Sequence, residues 1–190
     1  MRTKPLEEAS RPTCTSSREQ RLVISSINIE GVKSNVTGLQ DVMKTSHIVC
    51  VQEHWLWGYE KDDLASLAGD DWNYHIVCAD VAFPIPKSER RRGHGGVAIL
   101  WKRDLQDSFR RLDEGNERII AVECKSQNSN ICLLCAYMPT SGYSDTVESY
   151  GNCVDLLKVI ISKYRETHLI ILCGDISNAT VLASRNTRSL

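Results

Sequence analysis

Apolar residues along the chain fall mainly into short runs that stop at polar positions, a pattern typical of buried strands. Residues 47–53, HIVCVQE, show no polar alternation, which predicts a strand buried on both faces. By the same pattern, further strands are predicted at residues 21–28, 72–80, 95–102, 118–125, 130–137 and 168–175. The last of these, HLIILCGD, runs directly from five apolar residues into a Gly-Asp pair.

Helical spacing of apolar residues predicts two helices, over residues 35–46 and 145–165, with Asp145 as a possible N-cap of the second. A shorter helix is expected over residues 60–69 and should end at Gly69. Helices near both ends and strands in the centre predict an α/β domain whose sheets are covered by helices.

The first twenty residues differ from the remainder in composition. Residues 1–20 consist largely of Ser, Thr, Pro and charged residues, so we expect a disordered leader there. The total length of 190 residues suits one domain, which we place at residues 21–190. No internal repeat or low-complexity tract is evident.

The composition indicates the cellular location of the protein but does not indicate its binding partner. The 23 basic residues nearly balance the 24 acidic ones, so net charge argues neither for nor against nucleic-acid binding. No apolar run approaches the roughly 20 residues that span a bilayer, and the polar N-terminus lacks a signal-peptide core. We therefore expect an intracellular protein, nuclear or cytoplasmic.

The cysteines are expected to be reduced and to pack as small apolar side chains. Six of the eight lie in strand-like runs: Cys50, Cys78, Cys124, Cys132, Cys135 and Cys173. The one C-x-x-C pair, Cys132 and Cys135, lies within a strand, where residues three apart face opposite sides. A zinc or redox role for this pair is therefore not expected.

Four polar residues occupy the ends of predicted strands, where chemistry collects in layered α/β folds: Asn28, Glu53, Tyr137 and Asp175. Two carboxylates at neighbouring strand ends would suit Mg²⁺ or Mn²⁺, which prefer oxygen ligands. Such a site fits metal-assisted phosphodiester hydrolysis. Each residue also has a purely structural interpretation, since Asp175 could be a turn residue and Asn28 could form an Asx-turn.

A basic loop, ERRRGHGG, precedes the predicted strand at residues 95–102. Arg91 and Arg92 are candidates for contact with an anionic substrate, although such runs are more often solvated loops. His94 in the same loop is expected to be exposed and without a catalytic role.

Six segments taken in order resemble the endonuclease/exonuclease/phosphatase superfamily, which has the deoxyribonuclease-I-like fold. They are SSINIEG, IVCVQEHWL, GHGGVAILW, ERIIAVE, LLCAYMPT and LIILCGDISNA, and they cover about residues 21–179. The resemblance is greatest to the endonuclease domains of non-LTR (LINE-type) retrotransposons and to apurinic endonucleases. It implies a four-layer α/β sandwich, incomplete at its C-terminus in this chain.

The resemblance also implies roles for the candidate residues. Glu53 matches the metal-binding Glu, with Mg²⁺ or Mn²⁺ as the metal, and Asn28 matches the Asn that organises the metal and phosphate. Tyr137 matches a Tyr that contacts the scissile phosphate, and Asp175 matches an Asp that positions the attacking water. The implied partner is nucleic acid, DNA in the case of retrotransposon endonucleases.

The chain departs from the family pattern at its end. The family has Gly-Asp-x-Asn where this chain has Ser177, with Asn178 one place later, so these two residues are the substitutes for the phosphate contact. Further strands and an Asp-His pair are expected downstream of that motif in the family. We therefore expect a DNA endonuclease domain that is weak or inactive as this chain. The alternatives are a catalytically dead nucleic-acid-binding pseudoenzyme, or a phosphatase or RNA deadenylase of the same superfamily.

Overall fold

The structure is a computed structural model that describes residues 21–89, 92–125, 129–139 and 144–176. The strands are β1 (Ile24–Asn28), β2 (Ile48–Gln52), β3 (Trp72–Val77), β4 (Val97–Lys102), β5 (Phe109–Arg111), β6 (Ile119–Cys124), β7 (Asn130–Tyr137) and β8 (His168–Asp175). The helices are α1 (Val36–Thr45), α2 (Lys61–Ala68) and α3 (Ser144–Tyr164), with 3₁₀ turns at Gly58–Glu60, Lys87–Glu89 and Arg103–Ser108. The predicted leader at 1–20 and the candidates Arg91, Ser177 and Asn178 lie outside the described residues.

The strands form two four-stranded sheets. The first sheet has the order β1-β2-β4-β3 and the second has the order β5-β6-β7-β8. Only β1–β2 and β7–β8 pair in parallel, and the other neighbours are antiparallel. Because parallel strands end at the same edge, each sheet delivers two carboxyl ends side by side.

Three apolar cores separate four layers of structure. One core lies between the helices α1 and α2 and the first sheet, and includes Leu39, Leu64 and Leu100. A second, with Cys50, Ile99, Val122 and Leu133, lies between the two sheets. The third joins the second sheet to α3 through residues such as Leu134 and Ile160. The predicted α/β sandwich of four layers is confirmed.

Strand β2 runs through the centre of this sandwich. All five of its residues are buried, as predicted from its unbroken apolar run. It has β1 on one side and β4 on the other. This position makes β2 a rigid support for the residue that follows it, Glu53.

The cysteines pack as the sequence indicates. Cys132 and Cys135 lie on opposite faces of β7, one against α3 and the other between the sheets. No disulfide joins the cysteines within the described part of the chain. Hydrogen bonding to the thiols of Cys135 and Cys173, together with burial, raises the pKa of Cys50 well above its ordinary value. None of the described helices is long and apolar enough to cross a membrane.

Candidate active site

Asn28, at the end of β1, joins two carboxylates that belong to different sheets. Its side-chain Nδ2 donates to Glu53 Oε1 at 2.8 Å and to Asp175 Oδ2 at 3.2 Å. Its Oδ1 accepts a hydrogen bond from the backbone N–H of Glu30 at 3.3 Å, the local turn that the sequence allowed. The amide thus bridges the first sheet to the second at the point where their parallel strands end.

Glu53 lies in a strained turn directly after β2. Glu53 has φ +55° and Trp55 has φ +57°, values that non-glycine residues adopt at a cost of about 1–3 kcal/mol each. Neighbouring backbone holds the turn: Glu53 N–H donates to Gly96 O at 2.9 Å, and Trp55 N–H donates to Gly95 O at 3.1 Å. Such strain is common at functional sites, where the surrounding structure maintains it.

His54, between these two residues, is wholly buried and supports the turn. Its Nδ1 accepts from Leu56 N–H at 3.0 Å, so the Nε2 that lies 3.0 Å from Val77 O must donate. Burial lowers the pKa of His54 to about 4, partly offset by the bond to Val77. A neutral imidazole with both nitrogens bonded serves as structural support for the turn.

Tyr137, at the end of β7, faces the same carboxylate. Desolvation raises the pKa of its phenol, and the charge and hydrogen bond of Glu53 raise it further. The phenol therefore stays protonated at neutral pH. The guanidinium of Arg118 lies 5.4 Å from the centre of the Tyr137 ring and partly opposes the pKa rise.

Asp175 reaches the site because β8 lies close to β7. Asp175 and Tyr137 are register partners on the two parallel strands. Gly174, with φ +148°, allows this approach, since a Cβ there would lie 1.8 Å from the carbonyl oxygen of Ala136. The glycine of the Gly-Asp pair is thus required by strand packing.

A cleft of about 580 Å³ opens beside Glu53. It is lined by Glu53, Trp55, Ala79, Arg92, Gly93, His94, Gly95, Gly96, Glu117, Arg118 and Tyr137. Two guanidinium groups and three aromatic rings of Trp, His and Tyr thus face one opening. This combination suits a nucleic acid, whose phosphates attract arginine and whose bases stack on rings.

The donor set near Glu53 fits a divalent hard cation. Two carboxylates, Glu53 and Asp175, meet through one amide, and both are half-buried. Mg²⁺ commonly binds one or two carboxylates and keeps several waters. Within the described ranges, no three His, Cys, Asp or Glu side chains cluster as an all-protein metal cage. In the present rotamer the Asn28 Nδ2, and not its Oδ1, faces the carboxylates.

The structure brings together the four residues predicted at strand ends: Asn28, Glu53, Tyr137 and Asp175. Arg92, a predicted substrate contact, lines the cleft. His168 begins β8, at the end of that strand away from Asp175, and its Nε2 lies 2.9 Å from Glu123 Oε1. His94 is exposed, as expected, and its ring meets Trp57 edge-on at 5.2 Å.

Two residues at the site, Trp55 and Arg118, were not anticipated from the sequence. The Trp55 indole Nε1 donates to Glu53 Oε2 at 3.0 Å, and Arg118 lies against Tyr137. Trp55 belongs to a loop without periodicity, and Arg118 is an ordinary charged residue at the first position of a predicted strand. The sequence offers one signal for each residue: Trp55 is two positions after Glu53, and Arg118 directly precedes β6.

Solved structures with the same fold include an AP endonuclease and a 3′ phosphatase. LMAP, an AP endonuclease from Leishmania major, matches 81% of this chain and 54% of its own, with a TM-score of 0.58 and 20% identity. The 3′ phosphatase NExo from Neisseria, solved with a product DNA hairpin, matches 81% and 57%, with a TM-score of 0.56 and 15% identity.

A retrotransposon endonuclease shares the fold as well. The endonuclease domain of TRAS1, a telomere-specific non-LTR retrotransposon, matches 82% of this chain and 58% of its own, with a TM-score of 0.52 and 14% identity. This chain therefore spans little more than half the length of these neighbours. No curated protein matches the chain significantly in sequence.

The family comparison covers both sheets and every residue at the described site. The match begins in β1 and ends just after β8, from residue 25 to residue 176. The chain accordingly belongs to the endonuclease/exonuclease/phosphatase family.

Proposed function

We propose that this chain is a divalent-metal-dependent phosphodiesterase module that acts on DNA. The observation that carries the proposal is the Asn28 amide, which holds the carboxylates of Glu53 and Asp175 at one edge of the sandwich. Family membership supports the reaction class, and the arginines of the adjacent cleft support an anionic polymer as substrate.

Glu53 is the proposed principal ligand of Mg²⁺ or Mn²⁺, with Asp175 and Asn28 beside it. A bound cation would polarise the scissile phosphate and offset the charge that develops during attack. Asp175 would orient the attacking water through its free carboxylate lone pairs. Tyr137, protonated at neutral pH, would donate to a phosphate oxygen, and Arg118 would attract the phosphate to the same place.

We further propose the finer assignment to the endonuclease type found in non-LTR retrotransposons. The support is the ordered set of sequence motifs and the fold shared with the TRAS1 endonuclease domain. Ser177, Asn178 and Arg91 remain predicted substrate contacts, and Arg92 is proposed as a phosphate contact at the cleft.

A second candidate is nucleic-acid binding with little hydrolysis. The specific observation in its favour is the cleft beside Glu53, where Arg92 and Arg118 lie with the rings of Trp55 and Tyr137 and would hold a nucleic acid without cleaving it. The binding module predicts DNA binding without nicking, whereas the hydrolase predicts nicking that requires the metal.

Nicking of supercoiled plasmid, with Mg²⁺, Mn²⁺ or EDTA, tests the proposal. Wild type should nick only with metal, and Glu53→Gln should remove this activity because it removes the charge that holds the cation. The fall in nicking activity should be larger than roughly 10- to 100-fold, the fall expected when a metal ligand loses only its hydrogen-bond partner. Glu89→Gln, an exposed acid on the Lys87–Glu89 turn, is the matched control.

The outcomes separate the two candidates. Metal-dependent nicking lost in Glu53→Gln supports the hydrolase. Salt-sensitive duplex binding without any nicking supports the binding module. A wild-type protein that neither binds nor nicks DNA would contradict both candidates. Nicking that persists in Glu53→Gln would show that the activity belongs to a contaminant or to another site.

A further inference from the structure

Trp55 lies two residues after Glu53 and has no part in the chemistry proposed above. Its side chain is nevertheless held from several directions. The backbone at Trp55 is left-handed, and its carbonyl and ring each occupy space that only a glycine leaves free. These constraints suggest that the position of this ring matters for the site.

Trp55 fits its position because two neighbouring residues are glycines and have no side chain to collide with it. A Cβ at Gly31 would lie 2.6 Å from Cε3 of the indole, and a Cβ at Gly93 would lie 1.7 Å from the Trp55 carbonyl oxygen. Gly31 also donates its backbone N–H to the Glu53 carbonyl oxygen at 2.8 Å. Loops from two different parts of the first sheet therefore close on the Glu53–Trp55 turn.

The polar edge of the indole is directed at Glu53. Nε1 donates to Oε2 at 3.0 Å, while Asn28 donates to Oε1 at 2.8 Å. Each carboxylate oxygen thus accepts a hydrogen bond, one from Asn28 and the other from Trp55, which fixes the plane of the group. Each oxygen keeps lone-pair capacity for a cation.

The face of the indole supports an arginine. The Arg92 guanidinium lies over the Trp55 ring, 4.5 Å from its centroid, a cation–π distance. Arg92 is exposed at the cleft, next to Gly93. The ring therefore limits the freedom of a cation that solvent and ligands can reach.

We infer that Trp55 is a positioning residue with two separable roles: its indole N–H orients Glu53 for a divalent cation, and its ring holds Arg92 for a DNA phosphate. The inference rests on the proposed function of the same site. It predicts that, of the groups on Trp55, only the indole N–H affects metal affinity. Affinity for DNA in the absence of metal should depend on the Arg92 guanidinium and on the Trp55 ring beneath it.

Three variants separate these roles in the full chain. Trp55→Phe keeps an aromatic face and removes the donor, and Arg92→Gln removes the charge alone. Trp101→Phe is the matched control, because Trp101 also donates through Nε1, to Gln106 at 3.1 Å, at the far end of β4. Thermal unfolding of every variant, followed by circular dichroism, identifies those that fold.

The readouts are Mn²⁺ affinity by calorimetry and affinity for a fluorescein-labelled DNA duplex by anisotropy in EDTA. Trp55→Phe should weaken Mn²⁺ binding about 10-fold, the low end for a lost ligand partner, and leave duplex binding near wild type. Arg92→Gln should leave Mn²⁺ binding unchanged, weaken duplex binding and lower its log–log salt slope by about 1. Trp101→Phe should change neither affinity.

Unchanged Mn²⁺ affinity in Trp55→Phe, with wild type binding Mn²⁺, would overturn the inference and leave the proposed function standing. Equal losses in Trp55→Phe and Trp101→Phe would overturn it as well, because they would indicate general destabilisation. A wild type without Mn²⁺ affinity would overturn both the inference and the proposed function. If Trp55→Phe does not fold, Gly31→Ala serves instead, because it displaces the ring and retains the indole donor, and it should also weaken Mn²⁺ binding.

Discussion

Asn28 has an uncommon position among the site residues, because it contacts an acid from each sheet. Its Nδ2 lies 2.8 Å from one carboxylate oxygen and 3.2 Å from the other. Two carboxylates held close together repel each other in the absence of a cation. The amide reduces this repulsion in the metal-free protein.

Replacing Asn28 by Asp tests this role. The change removes two donated hydrogen bonds and adds a third negative group, so the metal-free protein should lose about 1–3 kcal/mol of unfolding free energy. Added Mn²⁺ should then raise the melting temperature more in the variant than in wild type. Differential scanning calorimetry, with EDTA and with Mn²⁺, measures both effects.

Asn152→Asp provides the matched control, since Asn152 is exposed on α3. It introduces the same charge away from the site and should leave both melting temperatures near wild type. If Asn28→Asp and Asn152→Asp behave alike, the bridging role of Asn28 is wrong.

Two histidines, the buried His54 and the half-buried His75, make the fold sensitive to acid. Burial, with the Arg111 charge as a second cause, lowers the pKa of His75 to about 4. Between about pH 6.5 and pH 4 the unfolded chain binds a proton at this residue that the folded chain does not. Unfolding free energy should therefore fall as pH falls through this window.

Urea unfolding at several pH values, for wild type and His75→Gln, checks the assignment. The variant should lose less stability than wild type between pH 7 and pH 4, whatever its absolute stability at pH 7. Part of the slope should persist, because burial also lowers the pKa of His54 to about 4. Parallel pH profiles in the two proteins would exclude His75 as a source.

At the scale of single residues, the sequence located the site through strand ends. Asn28, Glu53, Tyr137 and Asp175 were recognisable because each follows an apolar run at a polar stop. Trp55 could not be recognised in this way. Its role depends on two glycines distant in sequence and on a left-handed backbone, and neither leaves a local pattern.

At the scale of elements, the pairing of β7 with β8 decides where Asp175 lies. Gly174 is the point of closest approach, and its φ of +148° is favoured only for glycine. A side chain there would collide with the β7 backbone and displace the end of β8.

Gly174→Ala should therefore cost about 3 kcal/mol of unfolding free energy and weaken Mn²⁺ binding. Gly151→Ala is the matched control: Gly151 lies within α3 with nothing near its Cβ position, and the change should stabilise the protein by about 1 kcal/mol. Chemical denaturation measures both. A Gly174→Ala protein as stable as wild type would contradict the close-packing account.

The predicted elements match the structure where apolar periodicity was strong. The last strand is confirmed at both of its ends, and the helix predicted at residues 35–46 is α1. The third helix begins at Ser144, so Asp145 lies in its first turn and not at the cap. Strand β5 was missed because its three residues, Phe109–Arg111, include two exposed arginines and show no pattern of their own.

At the scale of the molecule, the two sheets and their helices produce one site from four separate strands. β1 and β2 end together in the first sheet, and β7 and β8 end together in the second. Face-to-face packing through the core that contains Ile99 and Leu133 brings these two edges to the same side. The apolar pattern predicted sheets covered by helices, and the family resemblance implied the four layers that the structure confirms.

The relative placement of the two edges could not be predicted from periodicity. Apolar patterns specify which face of a strand is buried, but they do not specify which strands from different sheets meet. The contact of Asn28 with Asp175 spans 147 positions of sequence and depends on the packing of the whole sandwich. The resemblance to a known family supplied this information where local patterns did not.

The central claim is that Glu53, Asn28 and Asp175 form a divalent-metal site. The most direct measurement is a crystal of the protein soaked in Mn²⁺, with data collected to reveal the anomalous scattering of manganese. We predict an anomalous peak at the Glu53 carboxylate, absent from Glu53→Gln crystals treated in the same way. Well-ordered Glu53 and Asp175 side chains without a peak between them, or a peak only elsewhere on the protein, would contradict the account.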